Sequence, residues 1–116
     1  MNKPNSVSHL VVFTTAASVA DARSMVRRLV TDRLVACGTI LEGAQSIYRW
    51  QGGIEETPEV MVVLKTTRER WDALRTTVRE IHPYEIPELL ALPVSAGHPE
   101  YLDWVQESTR TSGTSS

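Results

Sequence analysis

An α+β fold of the ferredoxin-like βαββαβ type, with an extra C-terminal helix and a long hairpin between its second and third strands, is predicted by three features of this sequence. Two stretches carry apolar residues at helical spacing, Ala22-Met25-Val26-Leu29-Val30 and Trp71-Leu74-Val78-Ile81. Short extended apolar runs stand on either side of each stretch. Between the two helices, a single long extended region is broken in its middle by Gly52-Gly53. The resulting order is strand, helix, strand, strand, helix, strand, followed by a helix, and that is the split βαβ arrangement.

Leu10 to Phe13, ending in Thr14-Thr15, is a continuous apolar run that reads as a first strand buried on both faces. Ser18 is placed to cap the first helix, whose apolar stripe ends near Leu34. From Val35 to Gln51 the chain is extended, and Gly52-Gly53 reads as a two-residue hairpin loop leading into Ile54 to Thr66. That loop would set Trp50 opposite Glu55 and Arg49 opposite Glu56. Arms of about 14 residues far exceed the usual ~5–6 of a strand, so the tip should project beyond the domain. Thr66-Thr67-Arg68-Glu69 has the spacing of a capping box ahead of the second helix. Pro83 disfavours helix at His82, so the helix should stop there and Pro83 to Pro87 should form a turn into a last strand, Leu89 to Val94. Pro99 suits the first position of a closing helix that carries Tyr101, Leu102 and Val105. The second and fourth strands then lie at the sheet edges, where Tyr48 and Trp50 share one face of a long edge strand that invites pairing with another chain.

The 116 residues suffice for one domain, expected over residues 9–110, with polar ends at 1–8 and 111–116 that can bury little. Hydrophobic residues make up 41% and charged residues 22%, a balance that supports a folded core. Twelve Lys and Arg are scattered among fourteen Asp and Glu, which leaves no basic stripe for nucleic acid. The longest apolar runs, such as Val60 to Leu64, fall far short of the ~20 residues that cross a bilayer. The polar N-terminus and the single cysteine, Cys37, point to the cytoplasm.

The stretch HPYEIPELL, residues 82–90, places His82, Glu85 and Glu88 close together. Imidazole and carboxylates are ligand types for copper, zinc or another divalent cation, and the same residues equally decorate a turn between a helix and a strand. Prolines at 83 and 87 forbid the helix that would bring positions three apart onto one face. Cys37, within LVACG, is either a small buried hydrophobe or a thiol whose only mid-domain base would be His82. His9 and His98 read as structural or solvated, and Trp71, Tyr101 and Trp104 as core or interface residues. No phosphate-binding glycine motif occurs. The arginine–asparagine chemistry of acyl-phosphate hydrolysis is excluded too, since the only asparagines are Asn2 and Asn5. No enzymatic activity is expected.

The stretches LVACGTI, SIYRWQGGIEE, VVLKTTRERW, HPYEIPELLALPV and YLDWVQES, in that order, resemble the CutA family of divalent-cation tolerance proteins. The resemblance covers about residues 9–110. It implies a ferredoxin-like subunit, a homotrimer joined through long hairpins and edge strands, and a link to copper and other divalent cations. The ligands of the family's copper-binding representative, a cysteine on the first strand and two histidines before Pro-Tyr, fall here on Thr14, Ile81 and His82. Of these His82 alone matches, so a cation site would recruit Glu85, Glu88 or Cys37, or groups of a neighbouring subunit. The alternative reading is a trimeric signalling protein or scaffold resembling PII proteins, holding a small molecule or a protein partner in the inter-subunit cleft.

Overall fold

The computed structural model describes residues 8–111. The elements are β1 (His9–Ala16), α1 (Val19–Thr31), β2 (Cys37–Trp50), β3 (Gly53–Thr67), a 3₁₀ turn (Arg68–Arg70), α2 (Trp71–Ile81), β4 (Leu90–Pro93) and α3 (Pro99–Ser108). Four antiparallel strands lie in the order β2-β3-β1-β4, so β2 and β4 are the edges, as the sequence predicts. The expected tails lie largely outside the described residues. Ser8 is already tied in, its carbonyl accepting from the Arg68 N–H at 2.9 Å.

Strand alternation builds the core. Leu10, Val12 and Ala16 of β1 and Val60, Val62 and Leu64 of β3 share the face that receives Ala22, Met25, Val26 and Leu29 of α1 and Leu74 and Val78 of α2. α1 approaches so closely that a Cβ on Gly38 would meet Val26 Cγ1 at 2.8 Å and Leu64 Cδ2 at 2.9 Å, which requires glycine there. Ser18 caps α1 by accepting from the Asp21 N–H. The helix ends three residues before the expected Leu34, in a Schellman motif: Arg33 takes φ 59° as the Leu34 N–H reaches the Leu29 carbonyl and the Arg33 N–H that of Val30.

The other sheet face carries Val11 and Phe13 of β1 and Met61 and Val63 of β3, each partly exposed. α3 crosses only the end of this face near His9 and Cys37, where the His9 ring contacts the Leu102 carbonyl and Cys37 contacts Tyr101. Leu41, Leu90 and Leu92 remain about half exposed on the strands that flank it.

The first strand is not buried on both faces as expected, since Val11 and Phe13 stay partly exposed on the side α3 leaves open. Two further details correct the sequence reading. The hairpin loop is Gln51-Gly52, not Gly52-Gly53. Both loop residues have positive φ, 49° and 84°, as a type I′ turn requires, and Gly53 starts β3 opposite Trp50. Arg49 therefore faces Ile54, and Glu55 and Glu56 face Tyr48 and Ile47. The capping box does not form either. β3 runs on through Thr67, and the Thr66 hydroxyl donates instead to the Leu34 carbonyl at 2.7 Å, inside the core. A buried carbonyl in the middle of the α1–β2 connection takes the side chain that the helix start would have used.

One further irregularity aims the outer half of the hairpin. Pairing passes from Leu41↔Met61 to Ala44↔Glu59, so Glu42 and Gly43 together oppose Val60, with Gly43 at φ 88°. Before this bulge the odd residues Cys37, Thr39 and Leu41 share the face of Met61 and Val63. After it, the even residues Ala44, Ser46, Tyr48 and Trp50 do, in phase with Glu59 and Thr57.

Candidate functional site

Helix α2 ends at His82, as Pro83 dictates: the His82 N–H still reaches the Val78 carbonyl at 2.8 Å while its ψ of 134° is extended. The following turn is fastened to β1 at both ends. At the start, His82 Nδ1 accepts from the Tyr84 N–H at 3.1 Å, which makes Nε2 the protonated nitrogen, and Nε2–H donates to the Thr15 carbonyl at 2.8 Å. At the far end, the buried Thr14 hydroxyl donates to the Glu88 carbonyl at 2.7 Å. Thr14 and His82 are the pins of the turn.

The pins set Tyr84. Its ring meets that of His82 edge-on, centroids 4.6 Å apart, and its hydroxyl donates to Glu59 Oε2 at 2.8 Å. Ser46 donates to the other oxygen, Glu59 Oε1. Burial, and then the Glu59 carboxylate it faces, push the Tyr84 hydroxyl up to about 12, so it stays protonated as a donor. Above this pair a cleft of about 550 Å³ opens between the hairpin and the turn. Tyr48 and Trp50 line it on the hairpin side, and Glu85, Ile86 and Glu88 on the turn side. Tyr48 is itself positioned by a hydroxyl contact with Thr57 at 3.1 Å.

The four expected ligands are not brought together in one chain. His82 is 8% exposed with both ring nitrogens engaged, whereas Glu85 and Glu88 are exposed at the cleft mouth. Cys37 faces Lys65, and Thr15, which His82 contacts, faces Met61, so the two sites are four strand positions, roughly 13 Å, apart along β3. The neighbours of Cys37 are Tyr101 Oη at 3.6 Å and Lys65 Nζ at 3.9 Å, and no cysteine–histidine pair is assembled. Among the described residues no three His, Cys, Asp or Glu converge on a metal-sized position. Sequence reasoning missed Glu59, Ser46 and Tyr84, the polar floor of the cleft. The Glu42-Gly43 step inside an extended run, a bulge signal, was the cue that would have put Ser46 beside Glu59.

The family model for the CutA1 divalent ion tolerance protein matches residues 10–108. The chain belongs to the CutA family. The divalent-cation tolerance protein CutA of Thermus thermophilus is 44% identical over 99 residues, 85% of this chain and 96% of that one. That of Escherichia coli K12 is 39% identical over 108 residues, 93% of this chain and 96% of its own. Among solved structures, the Thermus thermophilus protein superposes with a TM-score of 0.85 at 43% identity, covering 88% of this chain and 99% of that one. CutA1 of Oryza sativa reaches 0.88 at 33% identity, covering 91% and 97%. The ferredoxin-like fold of this CutA-family chain is thereby established from sequence and structure alike.

Proposed function

We propose that this CutA-family protein acts in divalent-cation tolerance as a non-enzymatic homotrimer, binding copper(II) or another divalent cation through the 82–88 turn completed by groups of a neighbouring subunit. The observation that carries it is the match to the CutA1 divalent ion tolerance model over residues 10–108, and the separation of the ligand types within one chain is what calls for a second subunit. Glu85 and Glu88 offer exposed carboxylates, while His82 ligates only if Nδ1 gives up the Tyr84 N–H, and Cys37 lies well away along the sheet. A transition metal takes about four donors at ~2.0–2.3 Å, so a second subunit has to supply what one turn lacks. The apolar sheet face left open beside α3, and the long β2 edge, support association of subunits. The cytoplasm is proposed as its compartment, where a lone cysteine stays reduced; cell fractionation tests this.

Calorimetric titration of the metal-stripped protein with copper(II), with light scattering for mass, tests the rest. Saturable binding to a trimer, lost in Glu85→Gln/Glu88→Gln, is expected. A trimer with no saturable binding overturns the metal reading, and a monomer overturns the assembly.

A further inference from the structure

We propose that the cleft between the hairpin and the 82–88 turn is a binding site for a small organic cation bearing an ammonium or guanidinium group. Its volume, about 550 Å³, lies within the ~300–1,000 Å³ typical of small-molecule pockets and is far larger than a bare ion needs. Its charge is of one sign: Glu59, Glu85 and Glu88 line it, and among the described residues no Lys or Arg does. An anion such as a nucleotide would meet three carboxylates and no compensating charge. Within one chain these carboxylates share the cleft without converging on one point, so a bare metal ion would need donors from a neighbouring subunit that an organic cation does not. A planar or tetrahedral organic cation, with charge spread over several ångströms, can address carboxylates set that far apart.

The aromatic walls supply the second half of the recognition. Tyr48, Trp50 and Tyr84 all border the cleft, and aromatic faces attract cations through the ring quadrupole, Trp most strongly. Tyr84 has committed its only proton to Glu59, so it presents ring and oxygen to a ligand rather than a competing donor. Glu59 is oriented by two hydroxyl donors, one on each oxygen, and a carboxylate has about four acceptor sites, so roughly two remain for the cation's N–H groups. Ile86 offers apolar contact to the hydrocarbon part of such a ligand.

The test uses the full chain in its native assembly and three probes: butylguanidinium, its uncharged analogue butylurea, and copper(II) alone. Calorimetry should give saturable binding of butylguanidinium, at least tenfold weaker in Glu59→Gln and in Trp50→Ala, with no saturable binding of butylurea. Glu85→Gln/Glu88→Gln, which alters only exposed side chains, should weaken binding severalfold and guards against a folding artefact at Glu59. Equal binding of butylurea, affinity unchanged in all three variants, or no saturable binding of butylguanidinium would overturn the proposal; the last result would mean that a neighbouring subunit fills the cleft. Copper(II) binding without butylguanidinium binding would sink this inference and leave the proposed metal function standing.

Discussion

His82 shows how one residue can meet a sequence expectation in position and depart from it in chemistry. It ends α2 as Pro83 requires, yet its ring is buried and bridges a β1 carbonyl and the Tyr84 amide. His82→Ala would strand the buried Thr15 carbonyl and the part-buried Tyr84 N–H, at a cost of about 2 kcal/mol. Urea denaturation of the metal-free protein should show that loss, and a loss seen only with copper present would assign the ring to the metal instead. Tyr84 makes a pH prediction. Its hydroxyl ionises near 10 when unfolded and near 12 when folded, and that of Tyr101, desolvated and then hydrogen-bonded to Cys37, also rises to about 12. A raised acid binds its proton more tightly in the folded state. The stability it contributes is therefore complete below pH 10 and is lost as the pH climbs from about 10 to 12. Denaturation midpoints should fall over that window, and Tyr84→Phe should flatten the fall; a midpoint constant to pH 12 would refute it.

At the level of elements, the hairpin contains the least favourable local choice. Gln51 holds a left-handed conformation that Asn accepts with little strain, and Asn-Gly is the preferred pair for this turn. Gln51→Asn should raise stability by about 0.5–1 kcal/mol in denaturant titration. The elements themselves were legible in the sequence because their signals are local: the α1 stripe, Pro83, and Pro99 at the start of α3. The misreadings of the loop and the cap came from competition. Gly52 and Gly53 both tolerate positive φ, and only the register resolves which one closes the loop. Thr66 is a fine cap in isolation but is taken by a carbonyl thirty-two residues away in sequence. The cleft was illegible for the same reason at longer range, since Glu59, Ser46 and Tyr84 meet only after the bulge has set the phase of β2 and β1 has pinned the turn.

As a whole molecule, the described chain is too extended for its size. A compact domain of about 100 residues has a radius of gyration near 13 Å, whereas here it is 15.6 Å over extents of 50 × 30 × 23 Å. The hairpin projects and one sheet face stays open, so the chain by itself leaves Leu41, Leu90 and Leu92 about half exposed, which fits the proposed trimer. Burial between subunits should make melting depend on concentration. Leu92→Asp, on the open side of β4, should lower the mass measured by light scattering toward that of one chain. An unchanged mass would remove that face from the contact of the proposed trimer.

The Glu42-Gly43 bulge reconciles two rulers laid along the same strand, one zeroed at the core pairs Cys37 to Leu41 and one at the Gln51-Gly52 turn, which disagree by a single residue. Removing Gly43 altogether would let the rulers agree, and the strand could heal as a regular ladder. Replacing it with Val would keep the disagreement and forbid the φ of 88° that absorbs it. The outer arm would then have to slip by one, turning Gln45, Ile47 and Arg49 toward Glu59 in place of Ser46, Tyr48 and Trp50. Here a chain shortened by one residue should be better tolerated than one enlarged by a side chain.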